Sequence, residues 1–298
     1  LRRLLSSFRA ATDKAAAFWL FAREHASSAV EDVVGNMAAD IIPWLIEETG
    51  STVIVVWLSS LAYGARSVMI VTTTHTPPST LTALESQVKL AGVLLEGLGY
   101  SGTCVRLIDV EHLSNPDSLA VDPANGIALA ATYGGLDEKR VVLRFAFDHL
   151  IQTANVSKDV VDLPNGSPFG TVDIDTDACT LCMACVSVCP SGAMGDDKES
   201  PRLTFLEWNC VQCGICERAC PEGAISLHAR LLLNAEQRMR ARTVNEESPF
   251  HCIDCGKPFT TQSMVAKMEE KLKGHRMFQG DGLKSLHRCE DCRVKAMF

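Results

Sequence analysis

The chain has 298 residues, 47% hydrophobic and 21% charged, with a formal net charge of −8. That length supplies about two domains with ample core material, and the acidic balance offers no basic footprint for nucleic acid. The most apolar run, Val53 to Ala65, has 13 residues and is bracketed by Glu47, Glu48 and Arg66, so it falls short of the ~20 residues that span a bilayer.

Thirteen cysteines is a high count, but twelve of them fall in short motifs. Thiols used that way serve metals rather than disulfides and predict a reducing, cytoplasmic setting. The chain begins with Leu rather than Met and is expected to lack its beginning.

Leu1 to Lys14 is basic and reads as a helix. Ala15–Phe21 is apolar and predicts a strand, Ser27–Asn36 a helix, and Ile41–Ile46 a strand interrupted by Pro43. Thr52–Tyr63 predicts a helix with Gly64 near its end, where a C-terminal signal belongs. Ser67–Thr73 (Ser-Val-Met-Ile-Val-Thr-Thr) predicts a buried strand. Pro77-Pro78-Ser79 opens a long helix whose apolar positions Leu81, Leu84, Val88, Ala91, Leu94 and Leu95 recur at helical spacing, and which ends at Gly97–Gly99. Thr103–Ile108, carrying Cys104, predicts a further strand. Strands alternating with helices imply a parallel, doubly wound α/β sheet over residues 1–160. No G-x-G-x-x-G or P-loop follows any of these strands, so no nucleotide cofactor is expected. Residues 112–135 read as loops, Leu136–Thr153 as a helix, and Pro164–Gly170 as a linker.

Two residues here are weighed singly. His75 follows the Ser67–Thr73 strand at the end where α/β sheets place ligands, and it reads either as a loop histidine or as a ligand. Cys104 reads as a small buried hydrophobe rather than a metal ligand.

The most informative stretch follows. Cys179-Thr-Leu-Cys182-Met-Ala-Cys185-Val-Ser-Val-Cys189-Pro190 is repeated as Cys210-Val-Gln-Cys213-Gly-Ile-Cys216-Glu-Arg-Ala-Cys220-Pro221. A disulfide framework or a pair of zinc sites is the bland alternative, but eight cysteines in two identically spaced sets, each closed by Cys-Pro, point to clusters. Two-residue spacers curl the backbone so that three sulfurs face one point, and the proline, lacking an N–H, suits a chain leaving regular structure. Short strands are expected at Thr171–Asp175, Leu203–Trp208 and Ala224–His228, with a polar helical or hairpin connector after His228. Leu181, Met183, Val186, Val188, Val211, Ile215 and Ala219 would shield the ligands and pack a small core at once.

The C-terminal stretch carries His251-Cys252-Ile-Asp-Cys255-Gly256 and Cys289-Glu-Asp-Cys292, with 33 residues between the pairs. Four thiolates in two C-x-x-C pairs suit a closed tetrahedral zinc site. A rubredoxin-like iron, a third cluster or disulfides are the alternatives. His251 and His287 flank the pairs and are redundant as ligands. Thr261–Lys273 predicts an amphipathic helix with Met264, Val265, Met268 and Leu272 on one face.

Three resemblances attach to these motifs. The paired C-x-x-C-x-x-C-x-x-x-C-P repeats resemble bacterial dicluster ferredoxins over residues 170–230. The resemblance implies one [4Fe–4S] cluster on Cys179, Cys182, Cys185 and Cys220, a second on Cys210, Cys213, Cys216 and Cys189, and electron hopping between them. Trp57-Leu58-Ser-Ser-Leu61-Ala62-Tyr63-Gly64-Ala65-Arg66, the Met69–Val71 strand, and Gln87, Ala91, Leu95, Gly97, Gly99 and Tyr100 resemble the delta-subunit domain of methyl-viologen-reducing hydrogenase. Redox-active members of that family carry a cysteine cluster, whereas this stretch holds Cys104 alone, so a platform for docking is implied. Cys252-x-x-Cys255-Gly256 resembles the knuckle of zinc ribbons, implying a metal module over 248–298 on Cys252, Cys255, Cys289 and Cys292.

The whole arrangement resembles long ferredoxin-like proteins that accompany formate dehydrogenases. It implies an α/β parallel-sheet domain, an α+β dicluster ferredoxin domain and a small zinc-ribbon-like module. The function implied is single-electron transfer to or from a partner redox enzyme; an assembly or docking protein for a metalloenzyme is the alternative. No catalytic constellation is found, so a catalytic subunit is not expected.

Charge is unevenly spread. Residues 173–225 hold nine acids against three bases, and residues 248–298 nine Lys and Arg against six acids. An acidic ferredoxin face and a basic tail predict two separate partner surfaces.

Overall fold

The computed structural model describes residues 1–22, 39–113, 129–134, 138–154, 156–197 and 200–296, and it divides into two compact units, Leu1–Val161 and Asp162–Phe298. The helix expected at Ser27–Asn36 and most of the loop stretch 112–135 lie outside the described residues.

In the first unit, helix α1 (Arg2–Thr12) precedes strand β1 (Ala17–Ala22), β2 (Ile41–Ile46), helix α2 (Ile54–Ala62), β3 (Ser67–Thr72), the long helix α3 (Pro78–Gly97), β4 (Val105–Asp109) and helix α4 (Lys139–Thr153). The four strands form one sheet in the order β2-β1-β3-β4, and each neighbouring pair is parallel. The order places β1 and β3 at the centre, and both are buried at every residue. That is why their sequences run apolar without alternation: a parallel strand covered on both faces has no water-facing side. Edge strand β2 tolerates Pro43, because a missing N–H there costs no interior ladder bond.

Helix α3 starts with Pro78 in its first turn, where the absent N–H would have had no intrahelical partner. It buries Leu84, Leu90, Ala91, Leu94 and Leu95. Cys104 sits on a short 3-10 turn, Gly102–Cys104, rather than on the expected strand; β4 starts one residue later. Its side chain is buried.

The second unit opens at Asp162, the last residue of the short strand β5 (Val160–Asp162). β6 (Gly170–Ile174) pairs antiparallel with β9 (Ile225–Leu232), setting Val172 opposite Leu227 and Ile174 opposite Ile225. β7 (Met194–Asp196), β8 (Arg202–Phe205) and β10 (Arg242–Glu246) form an antiparallel sheet with β8 in the middle. Two short helices, α5 (Ala184–Ser187) and α6 (Ile215–Ala219), occupy equivalent places in the two cysteine repeats.

The strand expected through Trp208 stops at Phe205, and Glu207–Asn209 forms a 3-10 turn. The polar connector after His228, expected as a helix or a hairpin, is helical, although the strand before it runs on past His228. β9 continues to Leu232, helix α7 (Ala235–Met239) turns the chain, and β10 returns to pair with β8. Val172, Leu181, Ala193, Met194, Leu203, Phe205 and Ile225 form one buried core together with Cys185 and Cys210.

The C-terminal part adds a hairpin, β11 (Pro249–His251) with β12 (Pro258–Thr261), then helix α8 (Gln262–Leu272) and helix α9 (Glu290–Lys295). No described helix is long and apolar enough to cross a membrane.

Candidate metal centres

Two of the cavities in the second unit are each lined by four cysteines. Cys179, Cys182, Cys185 and Cys220 line the first, closed over by Leu181, Leu203 and Ile225. Cys189, Cys210, Cys213 and Cys216 line the second, with Val172, Phe205 and Leu227. In each, three thiols come from one repeat and the fourth from the other.

The backbone explains how three closely spaced thiols converge. Leu181 and Met183 take left-handed conformations (φ 53° and 59°), and so do Gln212 and Gly214 (φ 54° and 73°) at the equivalent places of the second repeat. For a residue with a Cβ this conformation costs about 1–2 kcal/mol. Three such residues gathered in two ligand loops mark strain held at a functional site. Each repeat then leaves through Cys-Pro-x-Gly-Ala, where Gly192 and Gly223 (φ 62° and 63°) turn the chain and donate their N–H groups to the carbonyls of Cys189 and Cys220.

Donors surround the sulfurs. The Gln212 backbone N–H lies 3.5 Å and its side-chain amide 3.3 Å from Cys210 Sγ, while the same amide donates to the Thr171 carbonyl at 2.9 Å. The Ala224 N–H lies 3.3 Å from Cys220 Sγ.

Burial pushes the Cys185 thiol up to about 11, with the Val186 N–H opposing it and the neighbouring Cys179 and Cys182 adding to it. Burial likewise raises Cys210 and Cys216, and both feel Cys189 and Cys213 nearby. At Cys189 burial also acts upward, but the N–H of Met194, the Ser191 hydroxyl and the N–H of Ala193 outweigh it and lower the pKa. Crowded buried thiols that resist ionisation on their own, with N–H donors aimed at their sulfurs, form a donor set that a cationic cluster satisfies: the metal displaces the protons.

In the C-terminal part, the sulfurs of Cys252, Cys255, Cys289 and Cys292 all lie within 4.8 Å of one another. Gly256, at φ 71°, lets the first knuckle fold beneath the site and donates its N–H to the Cys252 carbonyl. Burial acts to raise the Cys252 thiol, but the N–H groups of Cys289, Cys255 and Asp254 overcome it and bring its pKa down to about 6. Cys292 is pushed up to about 12, first by its hydrogen bond to Cys255 and then by burial. The four-thiol set fits a tetrahedral ion. His287 turns away from the sulfurs: its Nε2 meets Glu269 Oε1 at 2.7 Å, and its carbonyl accepts the N–H of Ile253 between the first two ligands. His75 lies beyond β3, exposed, with its backbone N–H donated to the Thr73 hydroxyl.

Residues 178–225 match the 4Fe–4S dicluster domain family. The match supports 4Fe–4S binding by this segment. Sixty residues are also 38% identical to proteins named archaeal-type glutamate synthase [NADPH] from Thermotoga sp. (strain RQ2) and from Thermotoga maritima. The aligned stretch is 20% of this chain and 12% of each relative. An iron–sulfur domain of this kind suggests electron transfer, which implies a redox partner.

The acidic charge counted in the dicluster domain is partly paired: Asp197, Glu207 and Glu222 meet cations, while Asp173, Asp175, Asp177, Asp196 and Glu217 are exposed. Glu207 is buried, its side chain 4% exposed, gripped by Arg230 through two hydrogen bonds of 2.9 and 2.8 Å and by Arg242 at 3.0 Å. Arg242 also reaches Thr171 Oγ1 at 2.6 Å and lies over the Phe205 ring. Asp197 pairs with Arg202, which also holds Glu246. Glu222 pairs with Lys267 and Lys271 of the tail. In the tail itself, Asp254 holds Arg288 and Asp291 holds Lys257. Three of the domain's acids and several of the tail's bases thus close on opposite charges. Sequence reading misses the Glu207 cluster because its three members stand far apart in the chain and carry no motif.

Proposed function

We propose that the chain is an iron–sulfur electron-transfer protein or subunit. It carries single electrons through two [4Fe–4S] clusters, one on Cys179, Cys182, Cys185 and Cys220 and one on Cys210, Cys213, Cys216 and Cys189. The observation that carries this reading is the exchange of the fourth cysteine, which puts three thiols of one repeat and one of the other around each cavity. Bound clusters supply one-electron acceptance and donation at potentials set by charge, hydrogen bonding and solvent exposure.

The chain's own residues do the rest. The left-handed loops aim the thiols inward. Gln212 and Ala224 direct N–H groups at sulfur, and such donors ease the negative charge gathered on a cluster's thiolates. Leu203, Phe205, Ile225 and Leu227 keep water from the cavities. Cys182 and Cys213, the exposed ligands, give each site a face toward a partner.

Cys252, Cys255, Cys289 and Cys292 would hold a structural zinc ion, redox-inert and stabilising. The α/β unit, with a single cysteine in the described residues, serves as a docking platform similar to the hydrogenase delta-subunit domain. The partner is a redox enzyme, in the reading by resemblance a formate dehydrogenase, and the setting is the reducing cytoplasm. The match to a glutamate synthase named with NADPH is consistent with service to a redox enzyme.

The test is anaerobic reduction with dithionite followed by visible absorption and electron paramagnetic resonance. The reading expects two one-electron centres that reduce and reoxidise without loss. Clusters that break down on a single cycle would overturn it in favour of a structural or assembly role.

A further inference from the structure

The two cysteine cavities are built on one repeated pattern and differ in charge at one position. Each repeat closes on Cys-Pro-x-Gly-Ala, where x is Ser191 in the first and Glu222 in the second. Ser191 contributes a neutral hydroxyl 3.7 Å from Cys189 Sγ to the second cavity, whose lining carries no charged side chain besides the thiols. Glu222 lines the first cavity.

That carboxylate, 11% exposed, is held from outside. Lys267 Nζ lies 3.5 Å from its Oε2 and Lys271 Nζ 3.3 Å from its Oε1. Four residues apart on α8, the two lysines share one face of the helix. The helix is anchored at the same cavity by a second contact. The Thr261 hydroxyl accepts the Met264 N–H as the cap of α8 and donates to the Thr180 carbonyl at 3.1 Å, between the ligand-bearing positions Cys179 and Cys182.

An added electron makes a cluster more negative, so a nearby carboxylate opposes reduction and nearby ammonium groups favour it. Two lysines outnumber the one carboxylate at the first site. Resting on the electron-transfer reading above, we propose that Lys267 and Lys271 are positioning residues acting through Glu222. They raise the reduction potential of the centre held by Cys179, Cys182, Cys185 and Cys220 and leave that of the centre held by Cys189, Cys210, Cys213 and Cys216 unchanged. The tail thereby sets apart the potentials of two sites that share one four-thiol ligand set.

The test is a potentiometric titration followed by electron paramagnetic resonance on the full chain. It compares wild type, Lys267→Gln with Lys271→Gln, Lys267→Arg with Lys271→Arg, and Ser191→Asp. Both lysines are at least partly exposed, so the substitutions leave folding intact. One of the two centres is expected to move to lower potential in the double Gln variant while the other stays, and the double Arg variant is expected to keep both at the wild-type values. The shift should shrink in roughly 1 M salt, where exposed charges are screened within about 3 Å. Ser191→Asp, which puts a carboxylate at the matching position of the other cavity, should lower the other centre. Both centres moving together, neither moving, or Ser191→Asp moving the same centre would overturn the proposal. Absence of two reducible centres in the wild type would overturn the electron-transfer reading beneath it; two wild-type centres without the selective shift would overturn this inference alone.

Discussion

Glu207 bears more of the second unit's cohesion than any one of its surface charges. It ties β9 through Arg230 and β10 through Arg242, and Arg242 carries the link on to Thr171 of β6. Removing one partner of a buried ion pair leaves the others uncompensated, at about 3–5 kcal/mol when all are fully buried. Both arginines keep some contact with water, so Glu207→Ala is expected to lower stability by roughly 2–3 kcal/mol, read from the denaturant midpoint; a change within noise would show that solvent already satisfies the arginines. A second residue-scale prediction concerns Gly170. A Cβ there would stand 2.3 Å from the His228 carbonyl oxygen and 2.5 Å from the Gln212 side chain. Gly170→Ala should therefore push Gln212 off Cys210 and cost about 1–3 kcal/mol. The visible spectrum tests the first part, because unaltered absorption per chain would contradict a disturbed ligand loop. Neither residue announces itself in the sequence. Glu207 reads as one more surface acid and Gly170 as the end of a linker, since the groups that constrain them come from strands far along the chain.

At the scale of elements, what is legible is what is local. β3 and α3 are legible because an unbroken apolar run and a 3.6-residue period each arise within one segment. The short 3-10 turn at Cys104 and the strand β10 are not. Arg-Thr-Val-Asn-Glu has little strand signal of its own and pairs with β8 because the connector delivers it there. The ion pair of Asp40 with Arg66 ties the start of β2 to the start of β3. Partial burial acts to raise the Asp40 pKa, but the hydrogen bond and charge of Arg66 outweigh it and lower it. A carboxyl group depressed on folding stabilises above its unfolded pKa, near 4, and loses that contribution as the pH falls through the folded value. The thermal midpoint of Asp40→Asn should thus lie below wild type at pH 7 and converge with it near pH 2; a gap that persists in acid would mean the loss is not electrostatic. For the tail, Cys252, Cys255, Cys289 and Cys292 join β11–β12 to α9 across a long gap in sequence. If they hold the proposed ion, a chelator should raise amide exchange over 250–262 and 286–296 while β6 and β9 stay protected. Unchanged exchange in the tail would show that the four thiols hold it without an ion.

For the molecule as a whole, the cysteine spacing predicts the metal chemistry, and the fold decides which thiols meet. Within one repeat the first three cysteines are neighbours by sequence, so their convergence is readable from C-x-x-C-x-x-C. The fourth meets the other repeat only because β6 pairs with β9 and the two short helices α5 and α6 lie side by side. Resemblance to dicluster ferredoxins supplies that exchange where spacing does not. The charge balance is the reverse case. Counting acids and bases predicts separate surfaces, yet Glu222 meets Lys267 and Lys271, and the tail becomes part of the first site's surroundings. The central claim, two four-iron centres in one chain, is tested most directly by counting iron, acid-labile sulfide and zinc per chain after anaerobic purification. The account predicts about eight iron, eight sulfide and one zinc, from two four-thiol cluster sites and one four-thiol ion site. About four iron and four sulfide, or iron without sulfide, would contradict it.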